Sequence, residues 1–127
     1  MELIVADTTV LIDALRGTPT ATVAIDDAFE RGTEITASTI SKVEVLTGMR
    51  AHEKRAVRTL FRQIRWIPVD DAIAELAGEY GRVYRTSHQA IDVPDYVIAA
   101  TAMRADAELW TRNVKHFPMF DGLEAPY

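Results

Sequence analysis

The stretch ELIVADTTVLIDALR, residues 2–16, reads as a buried strand that runs directly into a helix. Leu3 to Ala6 is an unbroken apolar run carrying Ile and Val, the pattern of a parallel strand covered on both faces. Thr8 or Thr9 can cap the helix TVLIDALR, and Gly17 stands where a left-handed residue would end it. A strand that feeds a helix opens a βαβ unit, and the rest of the chain repeats the alternation.

Working outward, a second helix is predicted from about Thr20 to Arg31, with Val23, Ala24, Phe29 and the small alanines inward and Gly32 closing it. Glu34 to Ala37 reads as a second strand. A helix starting at Ser38 or Ser41 follows through Val43, Val45, Leu46 and Met49, and then comes a basic helix at about residues 52–65. Trp66 to Val69 is a third strand, which Pro68 places at a sheet edge or strand end. Asp70 caps a helix from Ala72 to about Tyr84, with Ile73, Leu76, Ala77 and Tyr80 at helical spacing. After the loop 86–92, Asp92 and Pro94 mark the start of the alanine-rich helix VIAATAMRA. Glu108 to Thr111 is a fourth strand, and the chain from Asn113 is irregular or briefly helical. The expected fold is α/β, a three-layer α/β/α sandwich around a mostly parallel sheet of four to five strands, in one domain over residues 1–127.

The absence of cysteine excludes disulfides and thiolate metal sites. The longest apolar stretch, IVADTTVLIDAL, is broken by two aspartates, so no membrane span is expected. No basic segment precedes an apolar one at the N-terminus, which makes the cytoplasm the default compartment. Net charge is −5, but residues 50–65 hold six of the fourteen Lys and Arg (Arg50, Lys54, Arg55, Arg58, Arg62, Arg65) against Glu53 alone. Lys54, Arg58, Arg62 and Arg65 recur on one helical face beside an apolar face of Val57, Leu60, Phe61 and Ile64. Such a stripe is either a solvated face whose long side chains cover the core edge, or a surface that tracks phosphates.

Four residues fall at or near element ends where a parallel sheet delivers side chains to one rim: Asp7, Glu44, Asp95 and Asn113. Three converging carboxylates repel, each pair by on the order of 4 kcal/mol at about 4 Å and an effective dielectric near 20. A divalent cation would neutralise such a cluster, which points to a magnesium or manganese site and phosphodiester chemistry. Each residue also has a structural alternative. Asp7 can serve as a helix cap, although Thr8 and Thr9 could do that work. Glu44 has capping-box spacing to Ser41, or lies one turn into a helix starting at Ser38 or Thr39 with its carboxylate inward. Asp95 suits a helix N-terminus electrostatically, with Asp92 its competitor for the site. Asn113 can cap a turn. His116 either lies in solvent or acts as a base, and Asp13, six residues beyond Asp7, points away from the rim as a surface or helix-pairing residue.

The blocks VADTTVLIDAL, ASTISKVEVLTGM, DVPDYVIAATA and TRNVKHFPMFDGL, in this order, resemble a PIN domain, and more narrowly the VapC toxin ribonucleases of bacterial toxin–antitoxin pairs. The resemblance spans essentially the whole chain. It implies that Asp7, Glu44 and Asp95 are metal-binding acids and that Asn113 holds the fourth polar position. Family members commonly carry a further acid in the last block, where this chain has Asn113 and His116. The resemblance further implies a homodimer, a cognate VapB-like antitoxin and RNA cleavage leaving 5′-phosphate and 3′-hydroxyl ends. In that chemistry Mg2+ or Mn2+ rests mainly on Asp7 and Asp95, Glu44 binds metal or orients water, and Arg112 with the Arg58–Arg62 stripe meets RNA phosphates. Two rivals belong to other enzyme classes. A receiver-like phosphoacceptor needs an acid pair after the first strand, where VADTT supplies one Asp, and a haloacid-type phosphatase needs a second aspartate where Thr9 stands. The remaining alternative is a catalytically silent PIN-like RNA- or protein-binding module.

Overall fold

The computed structural model describes residues 2–127. Strands β1 (Leu3–Ala6), β2 (Glu34–Ser38), β3 (Arg65–Ile67) and β4 (Glu108–Trp110) form one sheet in the order β3-β2-β1-β4. All three pairings are parallel, with Val5 opposite both Thr36 and Leu109, and Ser38 opposite Ile67. The helices among the described residues are α1 (Thr8–Leu15), α2 (Pro19–Glu30), α3 (Thr39–Gly48), α4 (Lys54–Gln63), α5 (Asp71–Tyr84) and α6 (Val93–Arg104). Short 3-10 turns occupy Ala51–Glu53 and Val114–His116.

Alternation along β1 sets the layers, because successive side chains of a strand point to opposite faces. Ile4 and Ala6 join Val10 and Leu11 of α1, Ala28 of α2, Val45 of α3 and Val57 of α4 on one face. Val5 joins Ile98, Ala99 and Ala102 of α6 on the other, with Tyr80 of α5 at its margin. The α/β/α sandwich is therefore built, with a fully parallel sheet of four strands. From Tyr96 to Ala102 every residue of α6 is buried, which explains its run of small side chains: a helix covered all round must approach its neighbours closely. Gly17 and Gly32 close α1 and α2 in the left-handed conformation, at φ +71° and +75°.

Three details differ from the sequence reading. Val23 and Phe29 are exposed, and α2 instead buries Ala21 and Ala28, with Ala24 and Ile25 packed beside them. Small residues seat that helix, so its bulky ones project outward. The basic segment is broken by the turn at Ala51–Glu53, where the buried Glu53 carboxylate accepts from the Arg50 N–H at 2.9 Å and pairs with Arg16 at 3.2 Å. Arg65 leaves the helical stripe altogether. It starts β3 and pairs with Glu34 of β2, because the strand begins one residue before Trp66.

Candidate functional site

The chain runs from β1 outward to β2 and β3, then returns to place β4 on the other side of β1. The order therefore reverses between β1 and β4, and open α/β sheets have their crevice beyond the strand ends at such a switch point. Asp7 lies there. Its backbone N–H donates to the Trp110 carbonyl at 2.8 Å, tying it to the end of β4. Asp7 is only 3% exposed. Oδ1 accepts from the Thr8 N–H at 2.7 Å, while Oδ2 accepts from the hydroxyls of Thr9 at 3.0 Å and Thr111 at 2.6 Å. Asp7 thus caps α1, and its place beyond the end of β1 puts it at the switch point. Burial raises its pKa against the pull of these three hydrogen bonds, and the charge of Asp95 raises it further.

Glu44 does not form a capping box with Ser41. Ser38 caps α3 instead, its hydroxyl accepting from Ile40 N–H at 3.2 Å, which sets Glu44 more than one turn into the helix. Its Oε1 accepts from the Thr8 hydroxyl at 2.7 Å, and that hydroxyl lies 2.9 Å from the Ser41 hydroxyl. Thr8 has one hydroxyl proton, so donation from Ser41 to Thr8 and from Thr8 to Glu44 satisfies both contacts. Burial raises the Glu44 pKa, and Asp7, Asp95 and Asp92 add to it.

Asp95 is the third residue of α6. Its Oδ2 accepts from the Asp92 N–H at 3.2 Å and lies 3.1 Å from His116 Nδ1. Asp92 is exposed and forms a capping box with Asp95 at the start of the helix; Asp95 is the less exposed of the two, and the charges of both reach Glu44. His116 is partly covered and pairs with Asp95 rather than lying free in solvent. Asn113 is exposed, and its backbone N–H donates to the Thr111 hydroxyl at 2.9 Å.

The three carboxylates feel one another's charge, and among the described residues no lysine or arginine forms an ion pair with any of them. They share a field without forming a closed cage: among the described residues no three His, Cys, Asp or Glu side chains stand close enough together to ligate an ion at once. Magnesium does not require such a cage, because it usually keeps several waters beside one or two carboxylates. An all-oxygen donor set with no lysine or arginine paired to it fits a hard divalent cation, which Asp7, Asp95 and Glu44 would hold.

The sequence did not reveal the roles of Thr8, Thr9, Ser41 and Thr111. Threonines and serines after strand ends read as helix caps, and only the pairing of β1 with β4 brings Thr111 to Asp7. Arg112 is held to one side: its NH1 lies 3.5 Å from Asp13, and its guanidinium lies 5.3 Å from the ring centre of Tyr127. Asp13, expected at the surface or in helix pairing, accepts from the Tyr127 hydroxyl at 2.7 Å as well. Arg58 and Arg62 are exposed on α4.

This arrangement agrees with comparisons across known proteins. A PIN domain family model matches residues 4–121. The chain is 46% identical over 121 residues to Ribonuclease VapC19 of Mycobacterium tuberculosis, covering 95% of this chain and 97% of that protein. It is 42% identical over 125 residues to Ribonuclease VapC10 of the same organism, covering 98% and 93%. The fold superposes on a chain of a toxin–antitoxin complex from Klebsiella pneumoniae with a TM-score of 0.80 at 29% identity, over 100% of this chain and 98% of that one. By matched family, by relatives and by structure, the chain belongs to the PIN domains and, within them, to the VapC ribonucleases.

Proposed function

We propose that the protein is the toxin of a toxin–antitoxin pair, an endoribonuclease that hydrolyses RNA phosphodiester bonds with magnesium or manganese. The observation that carries the metal dependence is the carboxylate rim at the β1/β4 switch point. It has Asp7 buried, Glu44 and Asp95 within its field, and among the described residues no lysine or arginine paired to any of them, His116 alone lying against Asp95. When bound, the cation supplies charge stabilisation at the reacting phosphate and acidifies water.

The chain's own groups do the rest. Asp7 and Asp95 hold the cation. The hydroxyls of Thr9 and Thr111 fix the orientation of the Asp7 carboxylate, so its free lone pairs point in one direction without reorganisation. Thr8 does the same for Glu44, whose other oxygen can orient the attacking water. His116 fixes Asp95. Asn113 contributes a neutral amide, and Arg112 holds a phosphate oxygen of the substrate. The Arg58–Arg62 face of α4 guides RNA by charge.

Kinship to the VapC ribonucleases and similarity to a chain of a toxin–antitoxin complex support a VapB-like partner, and the toxin itself is proposed to be a homodimer. The silent-module alternative is not favoured, since the curated relatives matched over nearly the whole chain are ribonucleases. The test is cleavage of single-stranded or loop RNA by the purified protein. Magnesium or manganese should support cutting, chelator should abolish it, and the products should carry 5′-phosphate and 3′-hydroxyl ends. Metal-independent cleavage, or none in either ion, would refute the proposal.

A further inference from the structure

Tyr127, Asp13 and Arg112 meet on the flank of the site although they come from α1, the loop after β4 and the far end of the described chain. The Tyr127 hydroxyl donates to Asp13 Oδ2 at 2.7 Å, and its ring packs against the core on the α1–α4 side of the sheet. Arg112 NH1 approaches the same Asp13 oxygen at 3.5 Å, with its guanidinium 5.3 Å from the Tyr127 ring centre. The Arg112 backbone is fixed to the catalytic carboxylate from two sides. Thr111, its neighbour, donates to Asp7 Oδ2 at 2.6 Å, and its own N–H reaches toward the Thr9 hydroxyl at 3.5 Å.

Two features argue that this cluster presents the arginine rather than burying it. The Arg112 side chain is 51% exposed, and only one of its nitrogens approaches Asp13, at a distance too long for a tight pair. The remaining N–H donors of the fork stay available to a planar or phosphate acceptor. The Tyr127 hydroxyl donates to the same Asp13 oxygen, so the guanidinium shares that acceptor rather than holding it alone.

We propose that Asp13 and Tyr127 form a latch that positions the Arg112 guanidinium to bind a substrate phosphate beside Asp7. The proposal rests on the ribonuclease reading above and adds the two positioning residues to it. A long side chain already confined loses less rotamer freedom on binding, so the latch should raise affinity for RNA without altering the chemical step.

The test measures binding of a labelled single-stranded RNA in chelator across a salt series, together with kcat and KM for cleavage in magnesium. The proteins are wild type, Arg112→Ala, Tyr127→Phe, Asp13→Ala and the Arg112→Ala/Tyr127→Phe double variant. Arg112→Ala should weaken binding and lower the slope of log K against log salt by about 0.7, the loss of one phosphate contact to a single strand. Tyr127→Phe keeps the ring and removes only the hydroxyl. It should weaken binding and raise KM by about twofold to fivefold with kcat retained, as an ordering loss would. Asp13→Ala should follow it. In the Arg112→Ala background Tyr127→Phe should have no further effect on binding, since it acts only through the arginine. Equal effects of Tyr127→Phe in both backgrounds, an unchanged salt slope in Arg112→Ala, or a lowered Tm with unaltered RNA parameters would each overturn the latch. Wild-type protein that neither binds nor cuts RNA would instead remove the ribonuclease reading. Normal wild-type activity with additive variants removes the latch alone.

Discussion

Replacing Asp7 by Asn separates the electrostatics of the site from its packing. Both partners of Oδ2 are hydroxyls, Thr9 and Thr111, which can turn to accept from an amide NH2 as readily as they donate to a carboxylate. The Thr8 N–H keeps an oxygen to donate to. The hydrogen-bond frame therefore survives while the charge disappears. Burial and Asp95 together raise the Asp7 pKa despite three hydrogen bonds, so the ionised carboxylate is a net cost to the metal-free fold at neutral pH. As a general scale, two like unit charges about 8 Å apart at an effective dielectric near 20 repel by on the order of 2 kcal/mol before screening, and water around partly exposed groups reduces it. Asp7→Asn should thus leave metal-free stability unchanged or raise it by about 1 kcal/mol, some 3–6 °C in Tm for a domain of this size. A divalent ion at tenfold its Kd should stabilise the wild type by about 1.4 kcal/mol, and the variant by far less. Thermal melts of both proteins in chelator, magnesium and manganese decide the matter. A metal-free loss above about 1.5 kcal/mol in Asp7→Asn would show that the charge is part of the fold. A wild-type Tm indifferent to millimolar magnesium and manganese would refute the cluster as a metal site.

Other outcomes follow from the same geometry. Asp95→Asn should lower cleavage by several orders of magnitude, whereas Asp92→Asn should cost mainly up to about 1 kcal/mol of helix-start stability, read as Tm with activity retained. Raised folded-state pKa values at Asp7 and Glu44 mean that the native state binds extra protons between the ordinary carboxylate values and the raised ones. The stability penalty of these groups is therefore fully present above the raised values and relieved as pH falls through them. The Tm advantage of Asp7→Asn over wild type in chelator should shrink accordingly on acidification, and an advantage that grows would reverse the sign of the argument. Arg58→Glu with Arg62→Glu should weaken RNA binding across sequences and flatten its salt dependence while folding persists, because the residues that α4 packs inward are Val57, Leu60 and Phe61. Unaltered RNA affinity would assign that face to solvent or to the antitoxin. Asn113→Asp adds a fourth negative group, so calorimetric titration should show tighter metal binding beside a lower metal-free Tm, and no change in affinity would remove position 113 from the site.

Much of the fold was legible because its signals are local. The apolar run Leu3–Ala6, the glycine at position 17, the Asp70 cap and the edge-marking Pro68 each speak through their immediate neighbours. What was misread depended on partners far along the chain. Nothing near Val23 or Phe29 says that α2 seats itself on alanines, and nothing near Arg65 says that Glu34 lies on the adjacent strand. Both facts come from how α2 and β3 dock on β2.

The site divides along the same line. Asp7, Glu44 and Asp95 could be put forward as candidates from the sequence because acids near strand ends in a parallel α/β order are delivered toward one rim. The groups that aim them could not. Thr111 lies 104 positions from Asp7, Ser41 lies 33 from Thr8 and His116 lies 21 from Asp95; the Thr8–Ser41 contact needs β1 and β2 paired, and the contact of Thr111 with Asp7 needs β4 beside β1. Threonine and serine suit that work because a hydroxyl can orient a carboxylate without neutralising it, leaving the charge for a cation. A lysine at position 111 would make a stronger pair with Asp7 and would also satisfy the field that a divalent ion is needed to satisfy. On the proposed reading, the polarity of these supporting residues, neutral at Thr8, Thr9, Ser41 and Thr111, with His116 against Asp95 and Arg112 on the flank, would leave the negative charge of Asp7 and Glu44 for a metal and put the arginine where a phosphate would arrive.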